Sequence, residues 1–261
     1  MSRAREFIIQ CKTKLKWKDL SEDTVMDVGS GTDFFSCRAI LEQFPNVKRV
    51  IALDHPYIHR EVFFWNENFD QRRVEFRAAD IETRVSLQDY EGKINKIVSW
   101  NKFHEIRKKE WAIENMYYVL KPGGSIAIWY HVDNPDYVWL WKMISIGKWN
   151  QYQTDLLRPY TSGDMDVEYY KERMQEAGFH NVLAVMKYKL NWFNTDQDCL
   201  EHLLRIARVV FDVPSDRMEE FKTDCLKTFK VFIGCKEYGE ICYTYCELYL
   251  FATKPSNILK A

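Results

Sequence analysis

Five short apolar runs recur through the first half of the chain, each separated from the next by a stretch with a different period. "TVMDV" (24–28), "RVIALD" (49–54), "VEFRAAD" (74–80), "INKIVSW" (94–100) and "SIAIWYHV" (125–132) are rich in β-branched residues, as expected of strands covered on both faces. Between them "FFSCRAILEQF", "REVFFWNENF" and "KEWAIENMYYVL" return an apolar residue every three to four positions, which predicts helices. The alternation gives a βαβ series and a twisted parallel sheet with right-handed crossovers. The third helix runs into "LKPGG", where Pro122 cannot continue it and Gly123-Gly124 supply a left-handed exit into the next strand.

The second half continues with a Trp- and Tyr-rich piece, "DYVWLWKMISIGKWNQYQ", then "DVEYYKERMQEAGFHNVLAVMKYKLNWF", read as a helix closing at Gly178 and a sixth strand. "QDCLEHLLRIARVVF" and "SDRMEEFKTDCLKTF" predict two more helices, the second capped by Ser215 with Glu219 in its first turns. "CYTYCELYLFATKP" is a long final strand whose alternation puts Cys242 and Cys246 on one side. No repeat, low-complexity tract or Gly/Ser linker divides the chain. The expectation is one α/β domain over 1–261, a doubly wound sheet with a helical lid built from cap segments at about 133–165 and 195–240.

Composition narrows the function classes. A chain of 261 residues with 46% hydrophobic content has enough for a sizeable core. With 37 basic against 38 acidic residues the net charge is −1, so nothing draws it toward nucleic acid or an anionic membrane. No uncharged apolar run approaches the ~18 residues of a membrane span, and the N-terminus lacks the apolar core of a signal peptide. A cytoplasmic protein, monomer or weak homodimer, is expected. Seven scattered cysteines without paired CxxC spacing point to reduced thiols and to no metal.

The candidate chemistry sits in "VMDVGSGTDFFS" (25–36), a strand, a glycine turn and a helix. Glycines there let a cofactor approach bare backbone. A phosphate-binding P-loop is excluded because no Lys-Ser/Thr pair follows the second glycine. A dinucleotide loop needs a third glycine where this chain has Phe34, and Asp33 would repel two phosphates. S-adenosylmethionine suits the loop better. Its ammonium can face Asp27, and its carboxylate can meet the N–H groups of Gly29, Ser30 and Gly31. Asp54, ending the second strand beside His55, can accept ribose hydroxyls, and Asp80 an adenine amine while Ile81 packs the ring. Asp33 reads as the N-cap of the first helix rather than as a ligand.

With these residues in place the sequence resembles the class I S-adenosylmethionine-dependent methyltransferases and, within them, the arthropod juvenile hormone acid methyltransferase family. "LKWKDL", "VMDVGSG", "AADIE", "KIVSWNKFHEI", "ENMYYVLKPGG", "EAGFHNV" and "VPSDRMEEF" carry the resemblance over nearly the whole chain. It implies a seven-stranded, mostly parallel sheet with the last strand antiparallel. It also implies methyl transfer to the carboxylate of a small hydrophobic acid: juvenile hormone acid, farnesoic acid or a fatty acid. Carried over, the cofactor residues are Asp27, Gly29 and Gly31, then Asp54, then Asp80 with Ile81, then Ser99 with Trp100. His104, Asn101 and Trp100 form the expected catalytic set, with Lys102 a further polar candidate that reads more readily as solvated. Trp139, Trp141, Trp149, Tyr152, Leu203, Leu204 and Phe211 are expected to shelter the tail.

Two departures stand out. The family's His-Trp pair is His104-Glu105 here, which would suit an amine acceptor if the acid points inward. "MSRAREFIIQCK" is also too short for the family's extra N-terminal helix with its cofactor-covering glutamine. A methyltransferase-like binding protein without turnover, and an enzyme with an amine acceptor, therefore remain alternatives. No Asn-Pro-Pro-Tyr or Asp-Pro-Pro-Tyr motif of the amino-directed base methylases follows the fourth strand.

Overall fold

The computed structural model describes residues 3–31, 33–56, 73–154, 166–235 and 240–256. Its strands are β1 (Thr24–Val28), β2 (Arg49–Asp54), β3 (Val74–Ala78), β4 (Ile94–Trp100), β5 (Leu120–Asp133), β6 (His180–Phe193) and β7 (Ile241–Thr253). They form one sheet in the order β3-β2-β1-β4-β5-β7-β6. β1 pairs in parallel with β2 and β4, β2 with β3, and β4 with β5. The strand order reverses between β1 and β4, which makes their carboxyl ends the switch point where open α/β sheets bind ligands.

β7 runs the other way, as the resemblance implies. The amide of Lys254, just past its end, donates to the Gly124 carbonyl near the start of β5 at 2.8 Å. The Thr253 hydroxyl donates to the carbonyl of His180, the first residue of β6, at 3.1 Å.

The helices are α1 (Arg3–Lys14), α2 (Phe35–Gln43), α3 (Lys109–Val119), α4 (Pro135–Ser145), α5 (Gly147–Asn150), α6 (Val167–Glu176), α7 (Asp196–Ala207) and α8 (Met218–Phe232). The predicted helix in "REVFFWNENF" lies outside the described residues. α3 ends at Val119 and β5 begins at once, so "LKPGG" belongs to the strand rather than to a helix exit. Pro122 fits there because the ladder to β4 shifts register between Ile94 and Lys96, the kind of irregularity where a strand tolerates proline.

Two caps differ from expectation. Asp33 is exposed, and the N-cap position of α2 is held by Phe34 with φ 52 and no side-chain cap. The chain enters the helix through a left-handed residue, which does not offer the extended geometry a capping carboxylate needs. Ser215 opens a 3-10 turn, Ser215–Arg217, and α8 follows with Arg217 at its start and no side-chain cap. In α7, by contrast, the Thr195 hydroxyl accepts from the Asp198 amide at 3.0 Å.

The described chain falls into two compact units. One takes residues up to Tyr130, the described part of 161–186, and Leu248 onward; the other takes the described parts of 131–160 and 187–247. In the first, α1 and α2 bury Phe7, Ile8, Cys37 and Ile40 with the sheet residues Val25, Val50, Val98 and Ala127. Trp17 Nε1 donates to Ser125 Oγ within this core at 2.9 Å.

In the second unit Trp139, Trp149, Leu203, Phe211, Phe221 and Phe229 form one cluster. Trp139 and Trp149 are fully buried, and their indole N–H groups donate to the Cys225 carbonyl at 3.1 Å and Asp224 Oδ2 at 3.0 Å. Four of the residues expected to shelter a ligand tail are thus core packing, and Trp141 is exposed. All seven cysteines are free thiols. Cys242 is exposed while Cys246 is buried, because β7 passes from alternating to continuous burial between them. No helix among the described residues is long and apolar enough to cross a membrane.

Candidate functional site

Asp27, the penultimate residue of β1, is completely buried. Ser36 Oγ and Cys37 Sγ, from the first turn of α2, donate to its Oδ2 at 2.5 and 3.0 Å. Its Oδ1 has no hydrogen-bond partner among the described residues. Burial pushes this carboxyl up to about 6, the Ser36 and Cys37 bonds pull it down, and the nearby Asp54 charge raises it again.

The loop that follows is pinned to the end of β2. The amides of Gly29 and Ser30 reach the Leu53 carbonyl at 2.8 and 3.4 Å. The Gly31 amide donates to Asp54 Oδ2 at 2.7 Å and the His55 amide to Asp54 Oδ1 at 2.8 Å. Gly29 and Gly31 both adopt left-handed φ, +78° and +65°, which glycine does without a Cβ penalty. Asp54 therefore shapes the loop, and each of its oxygens keeps a second lone pair for a ligand hydroxyl.

The end of β4 lies alongside, since Asp27 is level with Val98. Among the described residues, the buried Ser99 Oγ has no hydrogen-bond partner, nor do Trp100 Nε1, Asn101 Oδ1 and, on the loop, Ser30 Oγ. Native interiors leave few buried polar atoms unsatisfied. Five such atoms, counting Asp27 Oδ1, lie at the ends of two neighbouring strands and make this the candidate place for a polar ligand. Trp100 stacks on Trp129 with ring centroids 5.5 Å apart, and the exposed Phe35 meets Trp100 edge-on at 5.9 Å.

The remaining predicted residues have contacts of their own. Asp80 closes its own turn, accepting from the Glu82 amide at 2.9 Å and the Thr83 hydroxyl at 3.0 Å. Ile81 is buried, and its carbonyl accepts from Asn115 Nδ2 at 2.8 Å. His104, on the 3-10 turn Phe103–Glu105, is fully buried and faces the Tyr130 ring at 6.1 Å. Tyr130 and Tyr170 close the same cluster through a 2.6 Å bond between hydroxyls. Lys102, expected in solvent, instead lies against the glycine loop and pairs with Glu105 at 2.9 Å.

A cavity of about 550 Å³ opens elsewhere, lined by Arg84, Glu91, Glu114, Tyr117, Arg173 and Lys254 among others. Its lining includes Gly92 and Pro122, which precede β4 and open β5, so it sits at the amino ends of the strands. Its charges are largely mutually engaged: Tyr118 donates to Glu91 at 2.9 Å and Arg173 pairs with Glu176 at 2.6 Å.

The methyltransferase domain family matches residues 19–178. The chain belongs to that family. It is similar to juvenile hormone acid O-methyltransferase of Drosophila melanogaster, with 21% identity over 85% of this chain and 75% of that protein. Among solved structures it is similar to the YcgJ protein of Bacillus subtilis, with TM-score 0.62 and 12% identity over 97% of this chain and 99% of that one. It is also similar to phosphoethanolamine N-methyltransferase 2 of Haemonchus contortus, solved with S-adenosyl-L-methionine. There the TM-score is 0.55 and identity is 14%, over 96% of this chain and 52% of that one.

In this methyltransferase domain, sequence reasoning missed Ser36 and Cys37, which hold Asp27, and the placement of Lys102. Ser36 and Cys37 could have been found: the first helical turn after a strand-glycine-helix junction faces back toward the strand end.

Proposed function

We propose that the chain transfers a methyl group from S-adenosylmethionine to the carboxylate of a small hydrophobic acid of the farnesoic, juvenile hormone or fatty acid type. The group of unpartnered buried polar atoms at the ends of β1 and β4 carries the cofactor half of this reading. Bound there, the cofactor would supply an electrophilic methyl group on a cationic sulfonium. Asp27 Oδ1 would hold its ammonium and the Ser30 hydroxyl would face its carboxylate; the Gly29, Ser30 and Gly31 amides, expected from sequence to meet that carboxylate, are already given to the Leu53 carbonyl and Asp54. Asp54 would take the ribose, Asp80 with Ile81 the adenine edge, and Ser99 would close the strand side.

An acid acceptor is already ionised at neutral pH, so the chain needs to orient it and exclude water rather than remove a proton. A histidine buried among aromatics, as His104 is, is compatible with that demand. Trp100, Trp129 and Phe35 offer an aromatic wall beside the strand ends, and each methylene buried against such a surface contributes about 0.8 kcal/mol. The likeness to the Drosophila enzyme supports the acid over other acceptors.

The test is isothermal titration with S-adenosylmethionine, followed by a mass-spectrometric screen of fatty and terpenoid acids for methyl esters. Absence of cofactor binding at millimolar concentration overturns the enzyme. A methylated amine in the absence of any ester overturns the acceptor. A binding protein without turnover is the second reading, favoured by the lysine that lies across the loop; cofactor binding with no product from any acid or amine identifies it.

A further inference from the structure

The residue types of a cofactor cradle are present, and one side chain of the chain itself lies across it. A Cβ on Gly29 would sit 2.5 Å from Lys102 Cβ and 2.8 Å from Lys102 Cγ, and one on Gly31 would sit 3.7 Å from Lys102 Cε. The lysine stem therefore runs along the two glycines, covering the bare backbone that glycine exposes. Asn101, with φ 53, turns the chain so that the following residue points this way.

At its far end the ammonium pairs with Glu105 Oε1 at 2.9 Å. The charge of Glu105 holds its pKa above the ordinary lysine value against burial, with Asp54 and Asp33 adding to the effect. Its side chain is 31% exposed, so it is neither free in solvent nor locked in the core. Asp27, whose Oδ1 is unpartnered, receives no bond from it.

We infer that Lys102 is an internal occupant of the cofactor cradle, anchored by Glu105, which S-adenosylmethionine must displace, so that this pair sets cofactor affinity. The inference rests on the cofactor reading above. Rotation about the lysine side-chain torsions swings everything beyond Cβ off the two glycines, while Cβ stays with the turn at the end of β4. Its cost is the Lys102–Glu105 pair together with the packing of the stem on Gly29. Removing the side chain removes that cost before the ligand arrives, and the apparent affinity rises accordingly.

The experiment compares wild type with K102A, K102M and E105Q by isothermal titration with S-adenosylmethionine and, separately, with S-adenosylhomocysteine. K102A removes the stem beyond Cβ together with its anchor, leaving only Cβ near Gly29, and is expected to tighten both ligands by about two- to fivefold, the scale of a partly exposed ion pair. K102M keeps the stem but loses the anchor, and E105Q keeps the lysine but releases it; both are expected to tighten binding by a smaller factor. Melting curves establish that each variant is folded, and K102M with E105Q carry the test if K102A is not. A role in fold stability alone would lower the melting temperature without tightening either ligand.

Unchanged or weaker binding in the lysine variants overturns the inference and makes Lys102 inert or a ligand of the cofactor. Wild type and all variants failing to bind either ligand overturns the cofactor reading itself, and the inference with it.

Discussion

Replacing Asp27 with asparagine should move stability and cofactor affinity in opposite directions. In the folded protein burial raises this carboxyl from the ordinary 3.8 to about 6. A raised folded pKa means that the native state binds the proton more tightly than the unfolded chain does. The group therefore costs the fold about 3 kcal/mol above pH 6, and that cost fades as pH falls toward 4. Asparagine keeps an oxygen for the Ser36 and Cys37 donors but puts an unpartnered NH2 where Oδ1 now stands, a penalty of about 1–3 kcal/mol. The net expectation at pH 7 is a gain of about 1 kcal/mol, or about 2 °C in Tm.

Cofactor binding responds with the opposite sign. If Asp27 Oδ1 holds the ammonium, D27N loses a charge-assisted bond, about 2 kcal/mol or about 30-fold in Kd. In the wild type only the ionised form binds well. Titration calorimetry should then show Kd weakening about tenfold between pH 7 and pH 5, because a group of pKa about 6 must release its proton first. The D27N profile should be flat over the same range. A flat wild-type profile, or an equal slope in D27N, would refute the assignment of the ammonium to Asp27.

Other perturbations follow from single contacts. Gly29→Ala combines a left-handed φ with a 2.5 Å approach to Lys102 Cβ and should destabilise by more than about 2 kcal/mol in urea denaturation, with part recovered in a G29A/K102G double variant. Trp17→Phe removes the buried bond to Ser125 and should cost about 1–2 kcal/mol in the same assay. Lys254→Met removes donors to the Tyr117 and Leu120 carbonyls, at 2.8 and 2.7 Å, and should lower stability by about 2 kcal/mol while leaving cofactor affinity unchanged.

The parts of the fold that sequence made legible share one physical cause. β1, β2 and β4 begin and end where the apolar runs 24–28, 49–54 and 94–100 do, because a strand covered on both faces reads as a nearly continuous apolar run. Gly178, with φ +98°, follows α6 as expected for a residue that leaves a helix left-handed. The caps were not legible in the same way. Asp33 and Ser215 have the right side chains for capping, but capping needs an extended backbone at the junction, and Phe34 takes that place with φ 52. Trp139 of α4 and Trp149 of α5 read equally well as cavity lining or as core, and only the neighbours supplied by α7, α8 and β7 settle them as core.

The site divides along the same line. A carboxylate at the end of β1 and glycines after it are visible in sequence, because both are local requirements. Which way Asp27 turns is not, since its Oδ2 is taken by Ser36 and Cys37 and only the other oxygen is left for a ligand. Nor is the occupant of the space above Gly29. A glycine in a motif records that no Cβ fits; it does not record whether a ligand or another side chain requires the room. Here Lys102, distant in sequence, lies within contact of where that Cβ would be. A motif match alone would have assigned the space to the cofactor, whereas the geometry makes cofactor and lysine competitors for it.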